Sequence, residues 1–320
     1  MKKTDLEELV RRLARNYTVI GPTRKLDQYV FAELDGDNEL ALEYPRTIMP
    51  AKKYLYPARE TMFEFKKGNF KQTVADEHYA FFGLHICEIN AIQRLDLAME
   101  NDPYYEARRR NLFIVGVTCK PTDECFCKSM KANELPTGVC DLFLMDDGDG
   151  YLVHAGTEKG RKMLSSTMFS PTGKAALKVI VEYEEKKHID LDKVWKNFDR
   201  NHANALWDDM GKQCLGCANC TVVCPLCYCY DVADTTDILP DEPKRERFWD
   251  SCTLLNFATV AGGHKFRKDI KARYKNIYTH KFKTFVDEFG VPSCVGCGRC
   301  ITYCPAGISM QKNLGRLEVD

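Results

Sequence analysis

Apolar residues in the first part of the chain fall into short runs, separated by segments with helical spacing. The runs NYTVIG (16–21), QYVFAEL (28–34), HYAFFGLHI (78–86), NLFIVGVTC (111–119), DLFLMD (141–146) and YLVHAG (151–156) read as strands. They are short, rich in β-branched and aromatic residues, and bounded by turn formers. Helical spacing fits 4–15, where Leu6, Leu9, Val10 and Leu13 share one face, and also 88–100 and 157–166. Strands and helices mixed in this way predict a mixed-sheet α/β domain over residues 1–200. The stretch 174–200 is charged and helix-prone and reads as a bridge, with a boundary near Asn201. Beyond it strand signals nearly vanish, so 201–320 is expected to be mostly α-helical. The expected class is α+β.

Composition supports a folded chain: 44% of its 320 residues are hydrophobic, enough for a packed core. A formal net charge of zero supplies no overall field for nucleic acid or an anionic membrane. No apolar run reaches membrane-spanning length. Asp5, Glu7 and Glu8 break the N-terminus where a secretory signal needs continuous apolar residues. The expected compartment is the cytoplasm, where thiols are kept reduced. Sixteen cysteines then read as ligands, catalysts or small core residues, and their spacing has to decide which.

Two stretches repeat one word. CLGCANCTVVCP (214–225) and CVGCGRCITYCP (294–305) both have the form C-x2-C-x2-C-x3-C-P. Three cysteines at three-residue steps wrap three corners of a cubane cluster, and small residues such as Gly216, Gly296 and Gly298 let the backbone pass close. In two-cluster ferredoxins the fourth cysteine of each word ligates the other cluster. That rule assigns Cys214, Cys217, Cys220 and Cys304 to one [4Fe–4S] cluster, and Cys294, Cys297, Cys300 and Cys224 to a second. The competing zinc reading fits poorly, because structural zinc is served by paired C-x-x-C or Cys/His words. The 69 residues between Cys224 and Cys294 are helical in character. The stretch resembles the α-helical dicluster ferredoxins of fumarate reductase and heterodisulfide reductase subunits rather than a compact hairpin ferredoxin, and 201–320 is expected to be such a domain. Its basic run 265–283 reads as a solvated face, or as the edge that docks a partner.

The other cysteines are less explicit. Cys227, Cys229 and Cys252 read first as thiols packed near the clusters, and second as ligands of another metal. Cys87 and Cys119 end neighbouring expected strands, and Cys125 and Cys127 follow in the next loop. Strand ends are where residues distant in sequence assemble a site, and these four thiols would suffice for a third [4Fe–4S] cluster. The competing reading is one reactive or buried thiol with chance neighbours. Cys140 reads as core. His85, near Cys87, could tune or ligate a cluster, though a lone histidine at a strand end is more often structural.

Several stretches taken in order carry a resemblance: KKYLYPARETMFEF (52–65), ICEINAIQRLD (86–96), YYEARRRNLFIVGVTC (104–119), CFCKSM (125–130), CPLCYCYDV (224–232), WDSC (249–252), AGGHKFR (261–267) and CVGCGRCITYCP (294–305). Together they resemble a family of iron–sulfur subunits found in anaerobic sulfite reductase and, as the beta subunit, in soluble NAD(P)-linked sulfhydrogenases. The resemblance covers nearly the whole chain. It implies a non-catalytic electron-transfer subunit in a hetero-oligomer. Its implied neighbours are a flavin-containing NAD(P)H- or ferredoxin-linked subunit, and a catalytic reductase or hydrogenase subunit. The resemblance also implies that Cys87, Cys119, Cys125 and Cys127 are the family's N-terminal cysteine set, with Glu88 where the family often has Asp.

Catalysis by the chain alone finds no support. There is no G-x-G-x-x-G after a strand and no G-x4-G-K-[ST]. No recognisable nucleic-acid module accompanies the basic residues. The alternative from another class is an iron–sulfur redox sensor or assembly protein. A relay, unlike a sensor, should co-purify with a flavoprotein and a catalytic subunit.

Overall fold

The computed structural model describes the whole chain except residues 37, 67, 166, 173–177, 236–242 and 319–320. Among the described residues ten strands follow in chain order: β1 (Thr18–Lys25), β2 (Gln28–Glu33), β3 (Arg59–Lys66), β4 (Asn69–Gln72), β5 (Tyr79–Leu84), β6 (Phe113–Val117), β7 (Leu142–Asp146), β8 (Tyr151–Ala155), β9 (Tyr230–Thr235) and β10 (Lys244–Trp249). The six apolar runs of the sequence form one six-stranded sheet, in the order β2-β1-β5-β6-β7-β8. Its centre is parallel, with β1, β5, β6 and β7 running together. The edge strands β2 and β8 are antiparallel hairpin partners.

Alternation along these strands divides the core. Val19, Ala80, Phe82, Phe113, Val115, Leu142 and Leu144 face one side and bury Leu9 and Leu13 of the helix Leu6–Ala14. Ile20, Phe81, Ile114 and Phe143 face the other and join a larger core. That core holds Ile89 and Ile92 of the helix Ile86–Ala98, and it continues into Trp207, Tyr278, Phe282 and Leu314. Each such side chain contributes on the order of 1.5–3 kcal/mol by leaving water. This shared burial joins the two parts of the chain more firmly than the expected division at residue 201 suggests.

The second sheet, ordered β4-β3-β10-β9, is antiparallel and straddles that division. It corrects the expectation that strands vanish beyond residue 201. Its buried face carries charge where an apolar pattern would have revealed it. Arg247 of β10 contacts Glu60 of β3 at 2.8 Å and also bonds Asp102, while Arg108 meets Glu60 at 3.1 Å and Glu77 at 2.5 Å. Arg247 is only 1% exposed.

The bridge 174–200 is also corrected. Its described residues hold the short helix Leu191–Asn197. Before it, an extended segment bonds Leu135 N–H to Val179 O and Val181 N–H to Asn133 O. Val179, Val181 and Ile189 bury themselves in the core, which overrides the helix propensity of the surrounding charges. The basic insert is helical as expected, running through Ile270–Thr279, a widened π turn at His280–Thr284, and Phe285–Phe289. Among the described residues no helix is long and apolar enough to cross a membrane.

Candidate metal centres

The two cysteine words fold alike. In each, the second and fourth residues after the first cysteine are left-handed: Gly216 and Ala218 at φ 64°, Gly296 at φ 63° and Gly298 at φ 75°. A short helix then carries the third cysteine, Asn219–Val222 in one word and Arg299–Thr302 in the other. Ala218 holds this conformation at a steric cost of roughly 1–2 kcal/mol. Gly296 and Gly298 have a further reason to be glycine. A Cβ on Gly296 would overlap the Phe126 carbonyl, and one on Gly298 would lie 2.7 Å from the Glu124 carbonyl oxygen.

Backbone amides point at the sulfurs in both copies. Gly216 N–H donates to Cys214 Sγ at 3.4 Å and Gly296 N–H to Cys294 Sγ at 3.5 Å. Leu226 N–H donates to Cys224 Sγ and Ile308 N–H to Cys304 Sγ, both at 3.4 Å. The fourth cysteines cross over. The Cys214 thiol interacts with Cys217 and Cys304, and one cavity is lined by Cys214, Cys217, Cys220 and Cys304, with Cys300 at its wall. Cys224 interacts with Cys294, Cys297 and Cys300 of the downstream word, as well as with Cys220 of its own.

The N-terminal set also converges. Cys87 lies in the first turn of the helix that leaves β5, and Cys119 follows the adjacent parallel strand β6. With Cys125 and Cys127 they line a second cavity, whose far wall is Gly296, Cys297 and Arg299. Phe126 N–H donates to Gly296 O at 2.8 Å, and Cys125 Sγ lies 4.0 Å from Cys297 O. The N-terminal cage therefore abuts the downstream ferredoxin word.

Comparison with known proteins matches residues 213–308 to the 4Fe-4S dicluster domain family. Over its whole length the chain is similar to sulfhydrogenase 2 subunit beta of Pyrococcus furiosus, at 37% identity, covering 97% of this chain and 95% of that protein. The chain belongs to the sulfhydrogenase beta-subunit family. It is an iron–sulfur protein of the 4Fe–4S type within that family. No solved structure matches it.

The donor set of this family member suits such a group. Burial pushes several of these thiols up, Cys220, Cys119 and Cys127 to about 12 and Cys294 to about 11, whereas the bond to Cys227 first, then the Lys281 and Lys52 charges, hold Cys224 well below the ordinary thiol value. Metal binding to a protonated thiol has to displace its proton. Among the described residues no three His, Cys, Asp or Glu side chains close around a single metal ion.

Several supporting residues carry no signal in the sequence. Lys281, within the basic run, turns inward in the π turn and is 4% exposed. It donates to Ser293 O at 2.7 Å and to Cys224 Sγ at 3.5 Å. Burial works against its charge, but Cys224, Cys227, Cys294 and Cys300 together more than offset that, and its pKa lies well above the ordinary lysine value. Arg94 spans both cysteine regions, donating to Pro292 O, Cys294 O, Met130 O and Lys131 O. Arg46 bonds Thr122, Thr302 and Glu124 and reaches Cys125 Sγ at 3.6 Å. Tyr183, from the corrected bridge, accepts from Cys127 N–H at 2.9 Å.

The extra cysteines separate into pairs. Cys229 is paired with Cys252, whose thiol and backbone amide both bond its sulfur and hold it down to about 7. Cys227 pairs with Cys224. Lys52 closes over this segment, its Nζ 2.5 Å from Cys227 O and 4.1 Å from the Trp249 ring centroid. Cys140 is core, as expected, its Sγ 3.0 Å from Leu142 O.

Proposed function

We propose that the chain is a one-electron wire with three [4Fe–4S] clusters in a row. The first is held by Cys214, Cys217, Cys220 and Cys304, the second by Cys294, Cys297, Cys300 and Cys224, and the third by Cys87, Cys119, Cys125 and Cys127. The observation that carries this reading is continuity. Cys300 walls the first cavity while Cys297 walls the N-terminal one, so the middle site touches both ends. The clusters supply reversible one-electron chemistry. The chain fixes their ligands, donates amides to their sulfurs and limits water around them. Residues 1–200 contribute the third site and 201–320 the first two. Cys227, Cys229 and Cys252 pack beside the second site.

The first site reaches the surface. Cys217 is exposed, and Leu215 beside it is 68% exposed. The neighbouring loop leaves Leu255, Val260 and Phe266 in solvent, and Thr253 and Ile270 pack on Gly216. An exposed ligand beside an exposed apolar side chain, here Cys217 and Leu215, is a surface that an electron-transfer partner would cover. We place the chain in a cytoplasmic hetero-oligomer. On one side it would meet a flavin-containing NAD(P)H- or ferredoxin-linked subunit, and on the other a catalytic subunit of hydrogenase or sulfite reductase type. The catalytic partner decides the terminal acceptor.

Iron and acid-labile sulfide in the anaerobically purified chain test the cluster count. About twelve irons per chain support three clusters, and about eight remove the third. In the assembled complex, NAD(P)H or reduced ferredoxin should bleach the clusters. Clusters that stay oxidised under either donor, in a complex whose flavoprotein is active, would overturn the relay.

A further inference from the structure

His85 lines the N-terminal cavity with Cys87, Cys119, Cys125 and Cys127. It is 5% exposed. Its ring lies flat against Tyr44, with centroids 4.1 Å apart and planes at 13°, and Tyr44 is fixed by its hydroxyl donating to Gly83 O at 2.7 Å. The ring is thus held in one plane. Its Nε2 is nevertheless buried with no hydrogen-bond partner among the described residues. Leaving such a nitrogen unsatisfied costs the folded chain its full desolvation, yet the packing holds it there. A neutral imidazole has a single N–H to donate, and one carried on Nε2 meets no acceptor from the described residues. The four thiols that line the same cavity are the donor set of a sulfur-rich anionic group, which would offer the acceptor that the described residues do not.

We propose that His85 donates its Nε2–H to a sulfur of the group bound by Cys87, Cys119, Cys125 and Cys127, and thereby raises that group's reduction potential. This rests on the reading that the cage holds a third cluster. The couple is the uptake of one electron by the group, delivered from the adjoining site of Cys294, Cys297 and Cys300. A donor aimed at sulfur stabilises the more negative, reduced form. Arg46 near Cys125 and Arg299 near Cys87 and Cys297 act in the same direction. His85 is a tuning residue, since the thiols alone complete the ligand set.

Two substitutions separate donation from packing. His85→Phe keeps the stack on Tyr44 and removes the donor, while His85→Gln keeps a donor. Iron analysis and EPR-monitored redox titration of the full chain, purified anaerobically, read both variants against wild type. The expected result is about twelve irons in all three chains, a lowered midpoint for one cluster in the Phe variant, and a midpoint near wild type in the Gln variant. An unchanged midpoint in an iron-replete Phe variant overturns the proposal. If the Phe variant loses one cluster and the Gln variant keeps it at the wild-type potential, donation is needed for assembly and the proposal stands. Loss in both makes His85 a ligand and overturns it. About eight irons in wild type instead removes the third cluster itself, and the proposal with it.

Discussion

Glu88, the residue after Cys87, accepts a hydrogen bond from Arg299, the residue before Cys300, at 2.9 Å, and neither side chain is more than 3% exposed. One buried ion pair thus locks the helix carrying an N-terminal cysteine to the loop of the downstream ferredoxin word. Arg299 is held in place by Thr47, through O and Oγ1, both at 2.9 Å. Removing one partner of such a pair leaves an uncompensated buried charge, which costs about 3–5 kcal/mol. Glu88→Ala should lower the denaturant midpoint of the full chain accordingly. Glu88→Gln, which keeps an acceptor, should lose less. An Ala variant as stable as wild type would show that the guanidinium finds water instead.

The crossing of the fourth cysteines makes a prediction that spacing within one word does not. Cys304→Ser should disturb the cluster of Cys214, Cys217 and Cys220, while Cys300→Ser should disturb the one built on its own word. Each variant loses about four irons, so the count alone does not distinguish them. The EPR signal that vanishes does. If Cys304→Ser and Cys300→Ser abolish the same signal, the thiols do not cross.

The six-stranded sheet and both cysteine words were legible because each rests on a local regularity. Short continuous apolar runs mark strands whose two faces are buried, and ligand spacing is fixed by the size of what is bound. The second sheet was hidden because its inner face carries Glu60 of β3 and Arg247 of β10, with Arg108 of the helix Pro103–Arg110 packed on them, and buried charges leave no apolar pattern to read. Lys281 was hidden for a related reason. A lysine within a basic run carries no mark of pointing inward, and here the π turn re-aims it. The bridge at 174–200 failed because its few apolar residues, Val179, Val181 and Ile189, decide its path by burial. Helix propensity of the lysines and glutamates around them did not prevail.

Lys281 offers a test by redox titration. A buried ammonium 3.5 Å from Cys224 Sγ would favour the reduced state of a cluster held by Cys294, Cys297, Cys300 and Cys224, as proposed above. At an effective dielectric near 20, removing such a charge is worth a few kcal/mol, on the order of 100 mV for a one-electron couple. Lys281→Met should lower one midpoint by that order and leave the cluster of Cys214 less affected. Equal shifts in every cluster would mean that the effect is structural.

The charged face of the second sheet should be fragile in one direction only. Arg247→Ala strands Glu60 and Asp102 together beside Arg108, and should destabilise the chain by roughly 3–5 kcal/mol. Replacing Arg247 and Glu60 together by Met and Leu removes both charges, and should cost far less than the two single losses summed. Strict additivity in denaturation of the four proteins of this double-mutant cycle would deny that the pair acts as a unit.

Stability below neutral pH should carry the signature of His280. Its ring is packed edge-on against Tyr228 and Phe285, and burial first, then the Lys281 charge, lower its pKa to about 4 from the ordinary 6.5. The unfolded chain therefore binds a proton at a pH where the folded chain does not. Stability consequently rises with pH across this window, and is lost as pH falls from about 6.5 toward 4, by at most about 1.4 kcal/mol per pH unit from this residue. Unfolding of wild type and His280→Phe, compared between pH 7 and pH 5, reads the effect, because the Phe ring keeps both aromatic contacts and removes the titration. The variant should show the shallower pH dependence. Parallel profiles would mean that the imidazole stays as protonatable in the fold as it is in water.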